Sequence, residues 1–419
     1  MQLGIPALAI AARQRPQKVV FDAPLLTTLN TGIGAGTFTR NSTALDPDDY
    51  ASVAIDVARF SADGWFGEPQ RTNLVTHSSE LDNVTGWPTL INCTIGANES
   101  VAPDGTSTMD AIDSGTVVSA PHRAQTAAFT VTAANDAYVG SAYVKAGDVD
   151  WCALTIMDSG SRGVRRYFNI ATGEKGVVVD DFNAPDTPQQ FDVEDVGGGI
   201  YRVAVGMKNN ASSTTMTFQV WPADSDGGLS YAAADTTTAQ IYAWGVQLEK
   251  SDLSGPTTLI PTSGAAATRE ADDLLYADEW DWTNDIAGSI DWTPSADDQG
   301  EVWFLGNYTD ASNAVGVLHD GTNAIARKRI AGVDNDATKA LDYVVGTTYN
   351  IKWRFSSTEG VDIWVEEVKG TNDPTTTDAT VDTDLSVGND GNGAFYQAGS
   401  IKSVRIEQGN LNDAEVVSL

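Results

Sequence analysis

The segment "EWDWTND" at residues 279–285 places Glu279 and Asp281 two positions apart. Alternate side chains of an extended strand share a face, so both carboxyls would point to one side. A retaining glycosidase needs two carboxyls about 5 Å apart across the scissile bond, and this spacing would suit a cleft. The next acid, Asp285, is reached only through Thr283 and Asn284, which break the strand pattern. The segment therefore reads as a solvated strand edge, and the chain as a non-enzyme. Trp280 and Trp282 also share a face, and Trp292 follows in "SIDWTPS". Indole rings stack on the apolar C–H surface of sugars, which makes these three a candidate glycan platform. The interior of a sandwich is the competing place for them.

"ARKRI" at 326–330 is the one dense basic run. As a strand it sets Arg327 and Arg329 on one face, with Lys328 opposite. They are candidate contacts for an anionic glycan or an acidic neighbouring subunit, against the plainer account of a salt-bridged strand. His77, His122 and His319 are isolated and lack zinc spacing. The acidic turns "DPDD" (46–49) and "DSDGG" (224–228) could hold Ca2+ but lack the full spacing of a calcium loop. The metal content stays undetermined, no other cofactor is implied, and no Ser-His-Asp, phosphate-loop or dinucleotide signature is present.

These residues sit in a chain of 419 residues with 57 acidic against 25 basic side chains and a net charge of −32. Such a surface excludes nucleic acid as a partner, since phosphate binding needs positive charge. A hydrophobic content of 41% is ample for packed cores, and the length implies more than one domain. Cys93 and Cys152 are far apart in sequence. Cys152 shares a strand face with Leu154 and Ile156 and reads as a buried thiol. The opening "MQLGIPALAIAARQRPQ" lacks the basic region that precedes a signal-peptide core and is too short to span a bilayer. It is expected to be an apolar arm, residues 1 to about 22, that docks on a partner.

From residue 130 the sequence alternates with period two. "TMTFQVW" aligns Met216, Phe218 and Val220, and "IYRVAVGM" aligns Tyr201, Val203, Val205 and Met207 against Arg202. "QIYAWGVQLEK" gives Tyr242, Trp244, Val246 and Leu248 a common side. In "IKWRF", Ile351, Trp353 and Phe355 are expected inward, with Lys352 and Arg354 in water. This is the pattern of antiparallel sheets with one buried face. A break at residues 259–273 reads as a linker or crossover, and Asn412 with Glu415 forms a capping-box start to a terminal helix.

An ordered set of segments carries a resemblance: "GTFTRNSTA" (36–44), "EPQRTNLVTHS" (68–78), "VAPDGTST" (101–108), "SAYVKAG" (141–147), "YFNIATGEKG" (167–176), "VEDVGGGIYRVAV" (193–205) and "YAWGVQLEK…LIPTSGAAATREAD" (242–272). In this order they resemble a recurrent family of tailed-bacteriophage virion proteins built from lectin-like β-sandwiches. "RKRIAGVD", "VDIWVEEVKGTN" and the stretch from "LSVGNDG" to "NLNDAEV" are similar to concanavalin A-like, laminin-G-type sandwiches. The resemblance implies an all-β chain: two antiparallel β-sandwich (jelly-roll or lectin-like) domains preceded by an extended N-terminal arm. The expected boundaries are 1–66 for the arm and extended region, 67–262 for a carbohydrate-binding-module-like sandwich, and 263–419 for the laminin-G-like one. Glu68 and Arg71 are expected to pair at a surface or hinge between modules.

The implied function is that of a non-enzymatic virion surface protein: tail fibre, tail tip or head fibre. It would be assembled in the host cytoplasm, attach to other virion proteins through its arm, and bind host-surface polysaccharide without entering a membrane. A homotrimer is expected, because simultaneous engagement multiplies weak sugar contacts. The alternatives are a capsid decoration or spacer without glycan binding, and a secreted glycan-active enzyme or its accessory module.

Overall fold

The computed structural model describes residues 18–24 (through their backbone), 37–114, 120–132, 135–183, 191–229, 239–251, 255–276, 282, 285–295, 301–381, 384–389 and 399–419. Among these the chain is an all-β assembly of antiparallel sheets with one short helix, Asp413–Val417.

The first sandwich pairs a six-stranded sheet, centred on Ile200–Lys208, Ala137–Ala146 and Gln240–Lys250, with a seven-stranded sheet centred on Gly163–Asn169, Trp151–Asp158 and Thr215–Ala223. The expected faces meet between them: Cys152, Leu154, Ile156, Met216, Phe218, Val220, Val203, Val205 and Met207 form one buried cluster. Each such side chain contributes about 1.5–3 kcal/mol on burial. Both cysteines are free.

The strand Gln240–Lys250 departs from the expected alternation. Val246 and Leu248 enter the core with Ile241 and Ala243, while Tyr242 and Trp244 pack on the opposite face. The cause is a bulge: Ser141 faces Gln247 but Tyr143 faces Trp244, so one extra residue is taken up. Gly245 supplies it at φ +59, with Tyr143 and Leu259 side chains 2.8 and 2.9 Å from where a Cβ would stand. Gly245→Ala is expected to cost about 1–3 kcal/mol, read as a lower urea midpoint. An unchanged midpoint would mean the strand can slip its phase without penalty.

The second sandwich joins a sheet centred on Tyr349–Ser356, Ile286–Pro294 and Gly399–Gln408 to one centred on Leu385–Val387, Val302–Asp310 and Asn313–His319. Ile351, Trp353 and Phe355 lie in its core as expected. Lys352 and Arg354 are buried rather than wet. The C-terminal segment covers them: Arg354 Nη1 donates to the Leu411 carbonyl at 2.8 Å and Lys352 Nζ to that of Val417 at 2.5 Å. The capping box forms, with Asn412 Oδ1 accepting from the Glu415 amide and Glu415 Oε2 from the Asn412 amide.

The region 1–66 is not wholly an extension ahead of the sandwiches. Thr37–Thr39, Arg59–Ser61 and Gly64–Gly67 are strands of the second sandwich, and Phe38 and Trp65 sit in its core. Lys18–Pro24, at the end of the expected arm, pairs by backbone with Gly399–Gln408; residues 1–17 lie outside the described set. The first sandwich is thus inserted between strands of the second. Its neck is a two-stranded ladder in which Arg71–Asn73 enters and Ala267–Arg269 returns. Asn73 locks the entry: its amide donates to the Val246 and Ile260 carbonyls, and its oxygen accepts from the Val75 and Leu248 amides.

Candidate functional site

Two of the three tryptophans expected to form a platform, Trp282 and Trp292, are interior. Trp282 is 2% exposed and donates Nε1 to the Asp384 carbonyl at 3.0 Å. Trp292 is 1% exposed and packs on Phe304 with ring centroids 4.6 Å apart. Both rings belong to the buried core of the second sandwich, so neither can stack on a sugar; Trp280, Glu279 and Asp281 lie outside the described residues. Asp285 is structural, accepting from the Ser357 amide at 2.5 Å.

Arg327 and Arg329 do share a face, but each already grips carboxylates. Arg327 donates Nε and Nη2 to Asp336 and Nη1 to Glu301. Arg329 takes Asp334 through Nε and Nη2. An anionic ligand would have to displace these charge-assisted pairs, so the salt-bridged account replaces the glycan contact. Lys328 is buried and paired with Asp378.

The acidic turns use their carboxylates on backbone. Asp46 accepts from the Asp48 and Asp49 amides, and Asp226 from those of Val177 and Val178. Among the described residues one acidic trio, Glu359, Asp362 and Asp413, is close enough to share a metal ion. Arg354 and Lys369 already bridge its members. The three histidines stand apart, bonded respectively to Glu80, the Asn92 carbonyl and the Leu341 carbonyl.

Glu68 does not pair with Arg71 at a surface. It is 2% exposed, 2.6 Å from Arg269 and 2.9 Å from Arg59, and it accepts from the Thr258 amide and hydroxyl. Asp272 beside it binds Arg40 at 2.8 Å, Arg59, and the Glu68 amide at 3.0 Å. These five charges tie the neck to the N-terminal strands. Burial alone would raise the Glu68 pKa, but Arg269, Arg59 and the two Thr258 bonds outweigh it and hold the carboxyl at about 2. A carboxylate so firmly ionised is no general acid near neutrality.

Beside this network a cleft of about 540 Å³ opens between the sandwiches, walled by Asp48, Tyr50, Asp63, Phe66, Glu194 and Arg202. Tyr50 ends the capped turn of residues 46–50 at φ +59, a conformation costly for a bulky side chain. Its ring stands edge-on to Tyr143, 5.5 Å away, and to Trp244 at 6.4 Å. Beyond Tyr50 lies a second, more open cleft of about 810 Å³, lined by Trp244, Glu80, Asp82, Asn98 and Asp104. Tyr50 thus stands between two acid-walled clefts. Burial, with the neighbouring carboxylates of Asp46, Asp49 and Asp63, raises the Asp48 pKa. Arg202, expected in water, is buried against Tyr143 and donates to the Thr257 carbonyl at 2.5 Å. Carboxylates and amides beside an aromatic ring accept hydrogen bonds from hydroxyls and repel anions. The sequence signal for this arrangement is "DPDDY" (46–50), a tyrosine directly after the acidic turn.

No protein-family model matches the chain, and a search of curated proteins found no match. Among solved structures it is similar in part to domain 4 of AbnA, a GH43 extracellular arabinanase from Geobacillus stearothermophilus. That likeness has 13% identity over 35% of this chain and 72% of the other, with a TM-score of 0.31. The CBM40 of the Ruminococcus gnavus IT-sialidase, bound to α2,3-sialyllactose, matches at 10% identity over 32% of this chain and 81% of that one, TM-score 0.28. The botulinum neurotoxin serotype D binding domain matches at 9% identity over 35% and 40% of the two chains, TM-score 0.30.

Proposed function

We propose that the chain is a non-enzymatic surface protein of a tailed-phage virion that adheres to host-surface polysaccharide. The observation that carries the adhesive part is the paired, acid-walled clefts on either side of Tyr50. Their volumes, about 540 and 810 Å³, fall in the range of small-ligand sites. An aromatic wall with carboxylate and amide acceptors suits the C–H faces and hydroxyls of a neutral sugar. The virion part rests on the ordered segments from "GTFTRNSTA" to "TREAD". In this reading the N-terminal residues dock on other virion proteins and the chain acts as a homotrimer.

Removing the Tyr50 ring forfeits a stacking contact of about 0.5–1.5 kcal/mol beyond the area buried. Tyr50→Ala should therefore weaken binding of neutral host polysaccharide at least two- to tenfold by calorimetry. Asp63→Asn, at an exposed position, should weaken it with an unchanged melting temperature. Wild-type protein that binds no neutral polysaccharide from the host surface would sink the adhesive reading. Antibody-labelled virions imaged by electron microscopy test the location, and unlabelled particles would refute it.

A further inference from the structure

The outer face of the seven-stranded sheet in the first sandwich carries a different chemistry. Leu154, Ile156, Phe168, Phe218 and Val220 point into the core, so the residues alternating with them point outward. Cross-strand register sets Arg165 opposite Thr155 and Thr155 opposite Gln219, with Gln219 opposite Gln125. In the adjoining row Tyr167 faces Ala153, and Ala153 faces Trp221. Arg123 lies next to Trp221 on the neighbouring strand.

Two guanidinium groups share the Trp221 indole. The Arg165 guanidinium carbon is 4.5 Å from the ring centroid and that of Arg123 is 4.8 Å. Arg165 has Asp180 at 3.2 Å and the Thr155 hydroxyl at 3.0 Å. Asp180 is partly exposed and also accepts from the Tyr167 hydroxyl at 2.7 Å. Among the described residues no carboxylate pairs with Arg123 and no acceptor takes a hydrogen bond from its guanidinium. Its Nε is buried without a partner, and so is the Nε1 of Trp221, a residue only 3% exposed. In a chain with 57 acidic and 25 basic side chains, a cation without a carboxylate beside a second cation is unexpected. The site has donors in excess and lacks an acceptor.

We propose that this face binds a uronate residue of an acidic polysaccharide, its carboxylate held by Arg123 over Trp221, with Arg165, already paired to Asp180, adding positive charge beside it. The row continues through Gln219, joined to Gln125 at 3.0 Å; Gln125 is partly exposed and can meet sugar hydroxyls, while Thr155 is buried and holds Arg165 from beneath. The net charge of −32 does not forbid this, because at physiological salt only charges within about 8 Å act strongly. Burial, then the nearby Arg165, lowers the Arg123 pKa, the direction expected where two cations share too little negative charge; arginine stays charged regardless. This site is separate from the Tyr50 clefts and has the opposite preference.

The test is calorimetry of the full chain with oligosaccharides of alginate, galacturonate and hyaluronate, each beside its carboxyl-reduced form, and with inorganic sulfate. At least one uronate should bind at least tenfold more tightly than its reduced form and than sulfate. Arg123→Gln should weaken that binding at least tenfold while lowering the melting temperature by no more than about 2–4 °C, since Arg123 has no ion pair to lose and gives up only its contact with the Trp221 ring. Arg123→Lys, which keeps charge without the planar fork, should fall between. Tyr50→Ala should leave uronate binding intact, which separates this site from the clefts. The proposal is overturned if no uronate binds, if reduced forms or sulfate bind equally well, or if Arg123→Gln and Arg123→Lys both bind as wild type.

Discussion

Glu68→Ala is expected to destabilise the protein by about 3–5 kcal/mol, the cost of removing one partner from a buried ion pair. The substitution leaves Arg59 and Arg269 buried, with Asp272 the remaining carboxylate among the five charges. It also strips the acceptor from the Thr258 amide and hydroxyl. Glu68→Gln keeps the shape and some of these bonds but not the charge, and should cost less than Glu68→Ala. The pH dependence has a definite sign. The folded-state pKa of Glu68, about 2, lies below its ordinary value of 4.5, so the wild type binds fewer protons there when folded. The stabilisation is complete above about pH 4.5 and is lost as pH falls toward 2. It amounts to roughly 3 kcal/mol. Urea unfolding between pH 7 and pH 2 should show the wild type converging on Glu68→Ala at the acid end. A deficit below 1 kcal/mol at pH 7, or a constant gap across the titration, would refute the account.

Parts of this architecture were legible because a strand's period is a local property. Met216, Phe218 and Val220, and likewise Ile351, Trp353 and Phe355, reach their cores because one buried face suffices to impose alternation. The capping box at Asn412 was legible for the same reason, as all its partners lie within three residues. What covers the second face is not local. Arg202 and Arg354 carry the signature of wet positions, yet one lies beneath Thr257 and the other beneath the C-terminal segment. Closure of the second sandwich by Gly64–Gly67 depends on pairing Gly67 with Gly399, a partner no nearby pattern announces. Gly245 hid its bulge because an inserted residue in a strand looks like any other until the facing strand is known. Glu68 is harder to read, since a charged residue in a polar segment signals solvent; its burial is made tolerable by Arg59, by Arg269, 201 residues on, and by the two Thr258 bonds. The tryptophans were ambiguous in kind: a ring that stacks on sugar and a ring that fills a core are the same residue.

Trp292 makes that ambiguity testable. Its ring lies between Phe304, with centroids 4.6 Å apart, and Tyr343, which meets it edge-on at 5.0 Å, with His319 at 6.4 Å. Removing it opens a cavity lined by rigid aromatic walls that cannot collapse, so Trp292→Ala should cost about 3–5 kcal/mol. For a body of this size each kcal/mol lowers the melting temperature by about 2–4 °C, which predicts a fall of roughly 6–20 °C in calorimetry. Polysaccharide affinity, measured below the new transition, should stay within about twofold of wild type, because neither the Tyr50 clefts nor the Arg123 face includes this residue. Trp282→Ala should behave alike, losing its bond to the Asp384 carbonyl as well. The opposite pattern, affinity lost at an unchanged melting temperature, would return these rings to the surface as a binding platform. It would also remove the reason for assigning recognition to the first sandwich and its junction, since stacking would then belong to the second.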